Sequence, residues 1–220
     1  MLFQIAGILQ DHDCAAIKDA LSDASVWRDG KETAKGGARA AKSNEQADRS
    51  AAPVKGVTAK IEKALRANAV FRAAAQPASF GRMMVNRYQD GMAYGDHVDA
   101  AYIDGLRTDL SFTVFLNDPE TYEGGALVID NAGHEDEIKG PAGSVVLYPS
   151  TAVHRVEAVT KGTRLACIGW VKSRVRLPIH RQLIYDVETS LAELRECGAP
   201  DVTLNRLANL RNNLLRTFGD

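Results

Sequence analysis

Three residues of the sequence, His97, Asp99 and His154, could together hold a metal ion. His97 and Asp99 are separated by one residue in a segment that alternates like a β-strand, so both side chains are expected on one face. His154 lies in a later predicted strand, which is expected to face the first one across the fold. Two imidazoles and one carboxylate bind Fe(II) and leave three coordination positions open. The set therefore indicates a non-haem iron centre that can take up further ligands.

A second pair with the same spacing, His134 and Asp136, has to be weighed against the first. It follows a glycine-bearing turn and is flanked by two glutamates, which is typical of a solvated turn and strand start. The pair of His97 and Asp99 instead follows the apolar strand predicted at 82–90, where a buried site can be built. We therefore place the metal at the first pair.

Arg164, ten positions after His154, is the next candidate for chemistry. The segment 159–162 is expected to be a turn that folds the strand of Arg164 antiparallel to that of His154. Strand alternation aligns Arg164 with Ile168 and Trp170 on one face. An inward guanidinium requires an anion, and the far carboxylate of a dicarboxylic acid suits its two-pronged geometry. An ordinary salt bridge at the rim is the alternative.

The elements that must position these residues are mainly short strands. Eight segments alternate with a period of two and are separated by turn signals such as Asp90-Gly91 and Gly140-Pro141, which predicts an antiparallel jelly-roll core. The predicted strands are 82–90, 94–102, 108–117, 126–130, 135–139, 144–148, 152–156 and 163–171.

Helices are expected on both sides of this core. A short strand at Ile8 and Leu9 should precede a helix over roughly 11–24, and apolar residues from Val57 to Val70 predict one amphipathic helix. The stretch 30–53 between them carries too few apolar residues to bury a face, so it is expected to be a surface loop or flap. Beyond about residue 178, leucines at helical spacing predict two C-terminal helices.

Composition excludes several classes of protein. The 220 residues carry 27 basic and 28 acidic side chains, a formal net charge of -1, which gives no cationic field for binding nucleic acid. The first residues lack the basic and apolar regions of a signal peptide, and no apolar run is long enough to span a membrane. Three cysteines without CxxC spacing argue against disulfides and a cysteine zinc site. We therefore expect a cytoplasmic protein.

The chain resembles the prolyl/lysyl hydroxylase superfamily of Fe(II)- and 2-oxoglutarate-dependent dioxygenases in its ligand set, its Arg164 and its Tyr88. Further motifs resemble the bacterial PKHD-type hydroxylases, also called iron-uptake-associated hydroxylases, over essentially the whole chain. These motifs are Trp27-Arg28-Asp29-Gly30, Thr33-Ala34, Ala41-Lys42-x-Asn44-x-Gln46, Glu123-Gly124-Gly125-Ala126-Leu127, Gly140-Pro141-Ala142-Gly143, Gly169-Trp170-Val171-Lys172-Ser173-Arg174-Val175-Arg176 with Arg181, and Asn213-Leu214-Leu215-Arg216.

The resemblance implies a double-stranded β-helix with flanking helices, mainly β in class. It implies a dioxygenase domain over 1–177, with a jelly-roll core at about 82–174, and a C-terminal helical extension over 178–220. Fe(II) would be held by His97, Asp99 and His154, while Arg164 and Tyr88 would bind 2-oxoglutarate. The reaction would convert 2-oxoglutarate and O2 to succinate and CO2 while hydroxylating a C–H bond, with L-ascorbate as reductant and a link to iron uptake.

Two residues depart from the family pattern. Lys35 replaces the usual glycine after Thr-Ala, and Phe115 replaces a tyrosine that binds the cosubstrate in some relatives, so Thr113 and Ser111 become candidates for that contact. Phe115, Thr113, Tyr94 and Trp170 are also expected to line the pocket, although aromatic side chains favour strands for packing alone.

Alternatives to this function remain open at the level of sequence. A cupin-like metal enzyme would need the same ligands but not Arg164, and an iron or 2-oxoglutarate sensor would bind both without turnover. The expected partner is a peptidyl or small-molecule substrate, and Lys35, Arg39 and Lys42 in the loop could attract an anionic one. The C-terminal leucines are expected either to form a homo-oligomer interface or to cover the barrel.

Overall fold

The computed structural model describes residues 2–32 and 42–220, and two antiparallel sheets form its centre. The seven-stranded sheet has the order β1-β12-β8-β15-β4-β3-β2 and the four-stranded sheet the order β11-β10-β13-β5. The strands are β1 (Phe3–Ile5), β2 (Trp27–Asp29), β3 (Glu45–Ala47), β4 (Pro77–Tyr88), β5 (Tyr94–His97), β6 (Tyr102–Ile103), β7 (Leu106–Arg107), β8 (Leu110–Phe115), β9 (Tyr122–Gly124), β10 (Leu127–Asn131), β11 (His134–Ile138), β12 (Val145–Pro149), β13 (His154–Val156), β14 (Val159–Gly162) and β15 (Arg164–Ser173).

Within the described ranges, five α-helices flank the sheets. They are α1 (Asp11–Ala20), α2 (Ala52–Ala67), α3 (Ala69–Ala75), α4 (Pro178–Glu196) and α5 (Asp201–Phe218). Mainly β architecture with a jelly-roll core and flanking helices, as the sequence predicted, is confirmed. Among the described residues no helix is both long and apolar enough to cross a membrane.

The central strand β15 shows how alternation divides the molecule into layers. It pairs antiparallel with β4 on one side and β8 on the other. Its odd-numbered residues Leu165, Cys167 and Val171 join the main apolar core, in which Ile61 and Leu65 of α2 are fully buried. Its even-numbered residues Arg164 and Trp170 face the interior between the two sheets, because neighbouring side chains on a strand point to opposite faces. Complete burial of one such core side chain contributes about 1.5–3 kcal/mol.

Several predicted elements are displaced at the N-terminal end. The first strand is β1 and pairs with β12, whereas Ile8 and Leu9 lie in the loop after it, and α1 ends at Ala20 instead of residue 24. The single helix predicted over 57–70 is two helices. Asn68 ends α2 and its side chain accepts a hydrogen bond from the Phe71 amide at 2.9 Å, which caps α3.

The prediction of a loop over 30–53 is wrong for part of that range. Residues 45–47 form β3, which pairs with β2 and β4 and therefore extends the large sheet. Helix α2 already begins at Ala52. Residues 33–41, which include Lys35, Arg39 and the Thr33-Ala34 motif, lie outside the described residues.

The turn predicted at 159–162 is also wrong, and this changes the topology around Arg164. These residues form β14, which pairs with β9. Strand β13, which carries His154, pairs with β10 and β5 in the small sheet, while β15 lies in the large sheet. The chain thus crosses from one sheet to the other between His154 and Arg164, so the two side chains line the same cavity from different sheets and not from neighbouring strands.

Candidate functional site

His97, Asp99 and His154 lie close together beside the paired strands β5 and β13 of the small sheet. One ligand atom from each lies within 4.8 Å of the other two, and His154 Nε2 is 3.8 Å from Asp99 Oδ2. The two histidines are paired across β5 and β13, which brings their ring centroids to 4.2 Å. Strand β5 ends at His97, so Asp99 reaches the group from the following loop and not from the strand that the sequence predicted. The arrangement can hold one divalent cation.

Both imidazole rings are oriented by backbone carbonyls. His97 Nδ1 lies 2.9 Å from the Gly95 carbonyl oxygen, and His154 Nδ1 lies 3.0 Å from that of Ala152. A carbonyl can only accept, so Nδ1 carries the proton and Nε2 keeps its lone pair for a metal. Burial, with His154 close by, lowers the pKa of His97 to about 4. The ring is therefore neutral near pH 7, the form that binds metals.

Two buried serines fix the carboxylate of Asp99. The Ser111 hydroxyl donates to Asp99 Oδ2 at 2.5 Å and lies 2.8 Å from the Ser150 hydroxyl. Ser111 and Ser150 are 2% and 3% exposed, so water competes little for these bonds. Ser111 was a candidate partner of the cosubstrate carboxylate, but the structure places its hydroxyl on the metal-binding side of the cavity. Sequence spacing could not reveal this role because Ser111 contacts Asp99 across two different elements.

Arg164 is a buried cation without an anion. It is 1% exposed, and its Nε and Nη2 atoms have no hydrogen-bond partner in the part of the chain that the structure describes. Its guanidinium carbon lies 5.3 Å from the ring centroid of Tyr88 and 5.7 Å from that of Phe115. An unpaired buried charge is strongly unfavourable, whereas a carboxylate would satisfy both free donors. The geometry therefore fits an acidic ligand bound at this end of the interior.

A cavity of about 590 Å³ connects Arg164 to the three candidate metal ligands. Tyr88, Tyr94, Thr113 and Trp170 line it. Phe115 does not line it and packs beside Arg164 instead. The remaining wall includes Met84, Ser111, Leu127, Tyr148, Val156 and Ile168. This volume and its mixture of apolar and polar walls suit a small organic acid together with part of a substrate.

The sequence did not single out two tyrosines, one beside the candidate metal ligand His154 and the other beside Arg164. The Tyr148 ring centroid lies 5.1 Å from that of His154, and the Tyr122 phenol lies beside Arg164. Burial raises the pKa of both phenols, which keeps them protonated hydrogen-bond donors. Tyr122 is distant in sequence from Arg164, and Tyr148 approaches His154 from a different strand, so neither contact follows from strand alternation.

The structure also shows where the second histidine–aspartate pair and Lys42 lie. His134 and Asp136 sit on an exposed hairpin, with 81% of the histidine side chain accessible, and they gather no third ligand among the described residues. Lys42 is only 4% exposed and lies 5.3 Å from the Tyr94 ring centroid. Burial lowers its pKa to about 8. Lys42 is thus part of the cavity wall and not an exposed group that attracts substrate from solution.

Comparison with known proteins gives matches over the full chain. Residues 83–172 match the 2OG-Fe(II) oxygenase superfamily. A PKHD-type hydroxylase of Parvibaculum lavamentivorans is 42% identical over 220 residues, which cover 100% of both chains. A PKHD-type hydroxylase of Maricaulis maris is 40% identical, also over 100% of both chains.

Solved structures share the fold at lower sequence identity. A prolyl hydroxylase from Trichoplax adhaerens, in complex with a hypoxia inducible factor peptide fragment, has a TM-score of 0.58 at 16% identity, covering 77% of this chain and 83% of its own. A prolyl-4-hydroxylase of Pseudomonas putida has a TM-score of 0.53 at 22% identity, covering 79% and 92%. At such identities the likeness shows a common fold and nothing about the substrate.

Proposed function

Because the chain belongs to the PKHD-type hydroxylases of the 2OG-Fe(II) oxygenase superfamily, we propose that His97, Asp99 and His154 hold its Fe(II) and that Arg164 binds the far carboxylate of its 2-oxoglutarate. The observation that carries this assignment is the buried guanidinium of Arg164, which lines the same cavity as the ligand group and whose Nε and Nη2 atoms have no hydrogen-bond partner among the described residues. Fe(II) and 2-oxoglutarate are the cofactor and cosubstrate of this family of hydroxylases.

The side chains of the cavity act by positioning the iron and the cosubstrate. Fe(II) bound here supplies the redox chemistry that couples decarboxylation of 2-oxoglutarate, with O2, to hydroxylation of a C–H bond. Arg164 fixes one end of the cosubstrate by a bidentate ion pair, and the adjacent Tyr88 adds a hydrogen-bond donor. The backbone carbonyls behind His97 and His154 hold the rings in the metal-binding tautomer. Enclosure of the cavity excludes water from the reacting groups.

The finer parts of this proposal concern reductant, substrate and assembly. O2 is the oxidant, and L-ascorbate would return oxidised iron to Fe(II). The substrate is a peptidyl or small molecule with an unactivated C–H bond, in a pathway linked to iron uptake. Helix α5 has no buried residue, which supports its use as a homo-oligomer interface. Light scattering of the full chain tests the last point.

A spectroscopic titration tests the metal and cosubstrate sites directly. Anaerobic protein is loaded with Fe(II), 2-oxoglutarate is added, and the visible metal-to-ligand charge-transfer band of the chelate is recorded. We expect the band in the wild type and in His134→Ala, whose histidine lies on the exposed hairpin. We expect its loss in His154→Ala and in Arg164→Met at cosubstrate concentrations that saturate the wild type. Iron bound without any band in the wild type would contradict the cosubstrate assignment.

Turnover separates this proposal from the two alternatives. A cupin-like enzyme without 2-oxoglutarate would leave Arg164 buried with no anion, which the geometry disfavours. A sensor would bind both ligands without consuming the cosubstrate. Succinate formation from 2-oxoglutarate, measured with Fe(II) and O2 and increased by a substrate library, would distinguish the hydroxylase from both.

A further inference from the structure

A second cavity, of about 580 Å³, lies outside the site described above. It is formed where the end of α2 and helices α3, α4 and α5 meet the start of β4 and the end of β15, and it shares no lining residue with the first cavity. Five arginines contribute to its wall, against one carboxylate, that of Glu188. The arginines are Arg66, Arg72, Arg174, Arg195 and Arg211.

Two of these arginines have an acidic neighbour. Arg66 pairs with Glu62 of the same helix at 2.7 Å, and its guanidinium stacks on the ring of Phe80 at 4.6 Å. Arg211 lies 3.9 Å from Glu188, at the limit of an ion pair, and its buried Nε has no partner among the residues that the structure describes. The carboxylates near the cavity are therefore already engaged.

The other three arginines are exposed on the cavity wall and have no carboxylate partner among the described residues. Arg72 Nη1 donates to the carbonyl oxygens of Arg66 and Ala67, at 2.9 and 2.7 Å, which fixes the guanidinium but leaves its charge uncompensated. Arg174 and Arg195 make no side-chain hydrogen bond or ion pair with any residue in 2–32 or 42–220. Convergence of three like charges on one concave surface raises the local positive potential and attracts anions.

The floor between the arginines is apolar. Ala69, Val70 and Ala73 of the α3 segment and Leu191 and Ala192 of α4 provide it. Val70 is 45% exposed, although it falls in the apolar pattern from which the sequence predicted a buried helix face. An apolar floor surrounded by guanidinium groups accommodates a ligand that carries clustered oxyanions on a small organic body.

We propose that this second cavity binds a small polyanion, with clustered phosphate or carboxylate oxygens held by Arg72, Arg174 and Arg195. The planar guanidinium groups can each donate two parallel hydrogen bonds to such oxygens, which a single ammonium cannot do. The site is separate from the iron and 2-oxoglutarate cavity, and the proposal does not depend on the function assigned to that cavity.

Calorimetric titration of the full chain, without metal and at low salt, tests the proposal. The probes are inorganic pyrophosphate and citrate, which present the same clustered charge from phosphate and from carboxylate. The test variant is Arg174→Gln with Arg195→Gln. The matched control is Arg176→Gln with Arg216→Gln, which removes the same charge at exposed positions outside the cavity.

We expect the test variant to bind the preferred probe about tenfold or more weakly than wild type, because it loses two guanidinium groups that donate charge-assisted hydrogen bonds to the anion. We expect the control to stay within about twofold of wild type. Stronger binding of pyrophosphate assigns a phosphate ligand, and stronger binding of citrate a polycarboxylate. Equal weakening in both variants, or no binding of either probe to wild type at millimolar concentration, overturns the proposal.

Discussion

Replacement of Arg164 by methionine should stabilise the ligand-free protein while abolishing its response to 2-oxoglutarate. In the absence of an acidic ligand the guanidinium is 1% exposed and leaves Nε and Nη2 without partners. Methionine fills similar space with apolar atoms and leaves no donor unsatisfied. The same substitution removes the guanidinium to which we assign the bidentate pair with the far carboxylate. Stability and function therefore change in opposite directions.

The size of the effect follows from the contacts of Arg164. Each unsatisfied buried donor costs about 1–3 kcal/mol, and the two aromatic rings at 5.3 and 5.7 Å return part of this through cation–π attraction. We expect a net gain of roughly 1–3 kcal/mol for Arg164→Met. For a chain of this size that corresponds to a rise in Tm of about 2–12 °C.

Thermal unfolding with Mn(II) in place of Fe(II) measures both the stability of the ligand-free protein and its stabilisation by 2-oxoglutarate, without turnover. At 2-oxoglutarate concentrations of 100 times Kd, the wild type should gain about 2.7 kcal/mol, and Arg164→Met should gain nothing. Arg107→Met is the control, because Arg107 is also mostly buried but pairs with Asp109 at 2.8 Å. Loss of the Arg107 guanidinium leaves the Asp109 carboxylate buried without its ion-pair partner, which should lower Tm. A ligand-free Arg164→Met protein less stable than wild type, or one still stabilised by 2-oxoglutarate, would refute the reasoning.

Three further predictions concern the metal ligand, the core and the thiols. Ser111→Ala should weaken Mn(II) binding about 10- to 100-fold, with recovery in Ser111→Thr, as followed by metal titration; unchanged affinity in Ser111→Ala would contradict the role of the hydroxyl. Leu65→Ala, at a fully buried position, should reduce the free energy of unfolding in urea by about 2–5 kcal/mol, whereas Val70→Ala should change it little. A colorimetric thiol reagent at pH 8 should modify the exposed Cys197 in the folded protein but reach Cys167 only after unfolding. The reason is that Cys167 is buried, which also raises the pKa of its thiol to about 12. Rapid reaction of Cys167 in the native state would count against its burial.

The positions of most strands could be predicted because alternation is a local property. Each side chain of a strand points opposite to its neighbour, so a period of two in the sequence separates two faces. In β8, for example, Phe112 and Val114 pack in the main core, whereas Ser111 and Thr113 line the cavity. The same rule correctly placed Arg164 and Trp170 on the cavity side. Failures occurred where alternation is weak, notably in β3 and β14, whose places depend on pairing with distant strands.

The sequence also identified the candidate metal ligands, but it did not reveal the hydrogen bonds that orient them. His97, Asp99 and His154 were chosen by residue type and spacing, and the structure brings their ligand atoms within 4.8 Å. The hydrogen bond from Ser111 to Asp99 joins a strand to a loop, so no local sequence pattern predicts it. Lys42 shows the same limit, since a lysine in a polar segment gives no sign that it will be 4% exposed in a cavity wall.

The sequence by itself determined the class of fold and the residue types that can bind a metal and an acid, since both depend on composition and on short-range periodicity. Only the tertiary structure decided which sheet carries Arg164, that two of its buried nitrogen atoms have no partner among the described residues, and that arginines from four helices and from the residue after β15 line a second cavity. The physical reason is that burial and charge balance are sums over neighbours far apart in the chain, and those neighbours are fixed only when the elements pack together.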